Sequence, residues 1–78
     1  MGKRAVTELE RKHLVEIDRH IDECKNYIAK QRELIERAIQ RGRSTEVAET
    51  TLEGLEASLR AFERQRRLLL DRLQERER

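Results

Sequence analysis

"ERAIQRGRSTEVAE", Glu36 to Glu49, contains the one strong break in an otherwise helical 78-residue chain without proline. Gly42 is placed to close a helix, because glycine adopts the left-handed C-terminal position at little steric cost. Ser44 or Thr45 is placed to open the next one, since a side-chain oxygen there accepts a backbone N–H of the first turn. A connection this short returns the second helix antiparallel on the first. The expected fold is therefore all-α, an antiparallel two-helix, coiled-coil-like hairpin.

Upstream of the break, Leu14, Ile17, Ile21, Cys24, Ile28, Gln31, Ile35 and Ala38 recur at alternating spacings of three and four. That is a heptad seam. Downstream, Ala48, Leu52, Leu55, Leu59, Phe62, Arg66, Leu69 and Leu73 recur the same way. Facing positions of an antiparallel hairpin have a constant sum of residue numbers. Pairing Ile35 with Leu52, Gln31 with Leu55, Ile28 with Leu59, Cys24 with Phe62, Ile17 with Leu69 and Leu14 with Leu73 gives 86 or 87 every time. This register sets Lys25 beside Glu63 and Arg32 beside Glu56 at the edge of the seam.

Charge follows the same plan. Residues 24–43 carry six basic and two acidic side chains and face residues 44–63, with one basic and five acidic. Residues 8–23 are net acidic and face the net basic stretch 64–78. Single exposed pairs contribute little, but opposed blocks disfavour wrong registers. Gln31 and Arg66 interrupt the apolar seam, and are expected to set register or to reach solvent along their apolar stems. Thr7 and Glu10 read as a capping box. The expected organisation is a flexible N-terminus over 1–6 and a single domain over 7–78. Within it, the first helix spans about 8–41, the turn 42–44 and the second helix about 45–76.

A second periodicity lies beside the seam, in and around "TTLEGLEASLRAF", Thr50 to Phe62. Val47, Thr51, Gly54, Ser58, Ala61, Gln65 and Leu68 also alternate by four and three, large at the ends and small at the centre. Glycine inside a helix costs about 1 kcal/mol relative to alanine, so Gly54 calls for a reason. Paired antiparallel with its own copy, this face matches Val47 with Leu68, Thr51 with Gln65, Gly54 with Ala61, and Ser58 with itself. Glu49, Glu53 and Glu56 would then approach Arg67, Arg64 and Arg60 of the other chain. A self-complementary face is what a two-fold dimer needs, and the expected product is a homodimeric four-helix bundle. A further stripe, Val6, His13, His20, Tyr27 and Leu34, recurs at strict sevens on the first helix. It is expected to close the bundle beside that interface or to serve as a docking strip.

Charged residues make up 44% of the chain and aromatics 3%. That composition is shared by long helices and by disordered chains, and the two seams favour the first. A net charge of +2 names no partner. There is no apolar run suited to a membrane span or a secretory signal. Val6 stands where a myristoylation signal wants Ser or Thr. A single cysteine, Cys24, builds no disulfide framework. The expected location is the cytoplasm.

Catalytic and metal chemistry find little purchase. His20 and Cys24 have a chelating i, i+4 spacing, but Cys24 belongs to the seam. Glu10 and His13 form one E-x-x-H, half of a di-iron bundle pattern, with Arg76 as the expected neighbour of Glu10. No Ser/His/Asp set, glycine-rich loop or paired CxxC is present, and a hairpin offers no deep pocket. No cofactor, metal or enzymatic activity is expected. The leading expectation is a non-enzymatic protein–protein interaction and oligomerisation module, with a further protein partner that the sequence does not name. The rival is an RNA- or DNA-binding regulatory dimer of Rop-like shape, suggested by Arg60, Arg64 and Arg67 along one face.

His13 to Arg66 combine H-L-x-E-x-D-R-H-I, A-x-Q-R-x-L-I-E, a glycine turn and L-E-x-L. This stretch resembles small helical-hairpin proteins of alphaproteobacteria such as the rhizobia. The resemblance implies a bacterial source and carries no activity with it.

Overall fold

In the computed structural model, backbone is described for residues 2–77 and side chains for residues 8–75. Two helices, α1 (Gly2–Gln40) and α2 (Glu46–Glu77), pack along each other as a hairpin. At 1.5 Å per residue α1 is about 58 Å long and α2 about 48 Å, and the molecule measures 62 × 14 × 14 Å. It is a rod two helices across.

The break between the helices is built as the residue types demand. Gly42 has φ +66°. Its N–H donates to the carbonyl of Ile39 at 3.1 Å, while the N–H of Arg43 reaches back to Ala38 at 2.8 Å. These two bonds form a Schellman motif and satisfy carbonyls that the end of a helix leaves open. The Thr45 carbonyl accepts the first bond of α2, from Glu49 at 2.8 Å, and the Ser44 hydroxyl accepts from Glu46 N–H at 3.4 Å. Ser44 and Thr45 thus divide the capping role. The turn occupies 41–45, one residue wider on each side than the expected 42–44.

Nothing lies within 4 Å of a Cβ built on Gly42, so backbone conformation alone decides what the position tolerates. Gly42→Ala should cost about 1–2 kcal/mol, the penalty of a left-handed conformation for an L-residue. Gly42→Asn should cost less, and urea unfolding of the two variants checks both.

The N-terminal boundary differs from expectation. α1 begins at Gly2 rather than near residue 8, so Thr7 is five residues inside the helix and the expected capping box does not start it. Lys3, Arg4 and Ala5 are good helix formers, and no proline halts the backbone upstream of Thr7. A Thr-x-x-Glu sequence specifies a start only where the preceding chain leaves the helix. The side chains of Val6, Thr7 and Arg76 lie outside the described residues. Glu10 takes the next position of the seam instead, and is 7% exposed.

Every seam residue from Leu14 to Ala38 and from Ala48 to Leu73 is buried or half-buried. Ile21, Cys24, Ile28 and Leu69 are the buried apolar ones. No described side chain is fully buried, because a two-helix rod can cover only one stripe of each helix. Small scaffolds of this kind rarely gain more than about 3–5 kcal/mol from the core alone. The seam specifies the hairpin without stabilising it heavily.

Polar contacts across the helices agree with the register. The Arg32 guanidinium donates to Glu56 at 3.4 Å. Arg66 neither merely interrupts the seam nor trails into solvent: its Nε–H donates to Asp18 Oδ1 at 2.6 Å. Both partners of that pair are roughly half-exposed, so it contributes at most about 1 kcal/mol. Its value lies in tying α2 to α1 at this level of the register.

Candidate self-association face

The seam divides the rod into two unlike flanks. On one, Asp18, Lys25 and Arg32 of α1 run beside Glu49, Glu56 and Glu63 of α2, and the Arg32–Glu56 pair bridges them. A shallow groove on this flank is lined by charge of both signs, including Asp18, Lys25, Glu63, Arg66 and Asp71. On the other flank, His13, His20, Tyr27 and Leu34 run beside Thr51, Ser58 and Gln65. Between residues 13–34 and 51–65 that row carries no formal charge apart from its histidines, and exposed Arg41 and Arg72 continue it at its ends. The His20 ring stacks on Phe62 with centroids 5.1 Å apart and planes 13° from parallel, which joins this flank to the seam.

This sparsely charged flank continues onto the outer surface of α2. Val47 is 82% exposed and Leu68 61%, with Thr51, Gly54, Ser58 and Gln65 exposed between them and Ala61 half-buried. Thr51 Oγ1–H donates to the Val47 carbonyl at 3.0 Å. Its hydroxyl is thereby satisfied within the helix, and the face gains in apolar character. A Cβ on Gly54 would meet nothing within 4 Å. Within the protomer, therefore, nothing requires glycine at 54. The stripe on α1 is also open: Tyr27 is 57% exposed, and His13, His20 and Leu34 are exposed too.

One expected feature of the interface has to be withdrawn. Glu56 was to approach Arg60 of a second chain, but it is half-buried and paired with Arg32 of its own chain. Glu49 shares that charged flank, since the two are seven residues apart. The outer face is bordered on its solvent side by the row Thr50, Ala57, Arg64 and Asp71, all exposed. Sequence spacing could have found this, because Glu49 and Glu56 belong to the register that already paired Glu56 with Arg32.

The metal-like spacings hold nothing together. Cys24 is buried in the seam, while His20 is used in the ring stack and lies 4.0 Å from Glu23. Among the described residues no group of three or more His, Cys, Asp or Glu side chains converges as a metal site would. Glu10 is buried while His13 is exposed, so their E-x-x-H presents no common face. Arg60, Arg64 and Arg67 line one surface with Glu63 among them. No described helix is long and apolar enough to cross a membrane. No protein-family model, curated protein or solved structure matches this chain, so the functional reading rests on the geometry above.

Proposed function

We propose that this protein is a non-enzymatic association module, a helical hairpin that homodimerises into a four-helix bundle and presents its charged flanks to a further protein. The observation that carries this reading is the division of the rod into a flank lined by charges of both signs and a face whose central rows carry small or uncharged residues, with arginine only at the ends. That face ends in exposed Val47 and Leu68 and has an open Gly54 between them. Tyr27 and Leu34 of α1 add exposed apolar side chains beside it. Its order, large at the ends and small at the centre, complements itself about a two-fold at Ser58.

Light scattering at several concentrations tests the proposal. The expected result is a mass of two chains that falls toward one on dilution. A monomer up to millimolar concentration would refute it.

Arg60, Arg64 and Arg67 are the residues that favour nucleic acid, and Glu63 in their midst weakens that reading, because a phosphate-tracking surface needs a net basic face. With mixed RNA and DNA at low salt, no shift in gel mobility is expected. A shift that weakens steeply as salt rises would instead identify phosphate binding.

A further inference from the structure

We infer that the dimer interface is two helices wide: α1 supplies half of it, with Tyr27 on the two-fold axis against Tyr27 of a second copy. This rests on the homodimer proposed above and assigns the exposed stripe of α1 a place in it.

Two independent patterns locate the same axis. From α2, the self-complementary face centres on Ser58. In the hairpin register, anchored by the Arg32–Glu56 pair on the opposite flank, Ser58 lies level with residues 28–30 of α1, within one turn of Tyr27. From α1 alone, the exposed charges bordering the stripe are Glu16, Glu23, Lys30 and Arg37. They run acidic, acidic, basic, basic, and the sign changes at the height of Tyr27. Laid antiparallel on its copy about that height, α1 sets Glu23 against Lys30, Glu16 against Arg37 and His20 against Leu34. Neither pattern uses the other, and they agree to within one helical turn.

Side-chain size makes the arrangement consistent. Helices approach as closely as the residues between them allow, commonly about 8–10 Å between axes. Gly54, Ser58 and Ala61 let the two α2 helices come close. The α1 helices then stand further apart, and Tyr27, Leu34 and His20 are the large side chains that fill the wider gap. A dimer joined through α2 alone would leave an open slot between the α1 helices, with Tyr27 still exposed to water in it.

Tyr27 is the only tyrosine in a chain without tryptophan, so intrinsic fluorescence reports on this position without a label. Acrylamide quenching should fall as concentration drives monomer to dimer, in step with the mass from light scattering. A charge exchange tests the pairing itself. Glu23→Lys, or Lys30→Glu, sets like charges together at two symmetric places and should weaken the dimer by roughly tenfold. The double variant restores opposite charges between the α1 helices and should recover wild-type affinity.

If α1 packed on α2 of the second copy instead, Glu23 would lie near Arg64 and Lys30 near Ala57, and the double variant would stay as weak as Glu23→Lys alone. That result overturns the inference, as does a dimer in which Tyr27 is quenched as readily as in the monomer. Both leave the α2 interface standing. A chain that stays monomeric overturns the inference and the homodimer together.

Discussion

Leu59→Asp should unfold the hairpin. Position 59 is half-buried and faces Ile28, whose side chain is 6% exposed and among the most buried of the protein. A carboxylate there loses hydration, and an uncompensated buried charge costs about 3–5 kcal/mol. That matches or exceeds the roughly 3–5 kcal/mol that a scaffold of this size draws from its core. Circular dichroism should show most of the helical signal lost at room temperature. Leu68→Asp is the control, because Leu68 is 61% exposed on the outer face. That variant should keep a folded hairpin while losing its partner copy. Full helicity and unchanged thermal stability in Leu59→Asp would refute the seam.

Gly54→Leu separates the two fates of the outer face. In the protomer a Cβ at this position meets nothing within 4 Å, so propensity should dominate and stabilise each helix by about 0.5–1 kcal/mol. In the dimer it must enter the space of Ala61 from the second chain. Overpacking of that kind costs about 1–3 kcal/mol per site, and the two-fold contains the site twice. The expected result is a hairpin that is more helical as a monomer and dimerises at least tenfold more weakly. Sedimentation or light scattering across a dilution series measures the second part. A Gly54→Leu dimer as tight as wild type would show that the small face is not the contact.

Much of the hairpin was legible because its determinants are local or periodic. The left-handed Gly42 follows from glycine chemistry at a helix end. The seam follows from three-four spacing, and the register from the constant sum of facing positions. The N-terminal start was misread for a reason of the same kind. Thr7 and Glu10 have the types of a capping box, but such a box acts only where the chain before it is not helical, and Lys3 to Ala5 favour helix.

Tertiary structure alone decided how the polar residues are used. Sequence spacing placed Arg66 in the seam, but its choice of Asp18 at 2.6 Å depends on where a long side chain lands across the helix interface. His20 could have been a ligand, a solvated side chain or a packing surface, and the stack on Phe62 selects the last. Glu56 had two prospective arginine partners, one in its own chain and one in a second copy. Packing of α1 against α2 brings Arg32 within 3.4 Å of it. Periodicity along one chain determines which residues share a face. Which neighbour a flexible charged or aromatic side chain meets is set by the distance and rotation between the helices, and those exist only once the hairpin has closed.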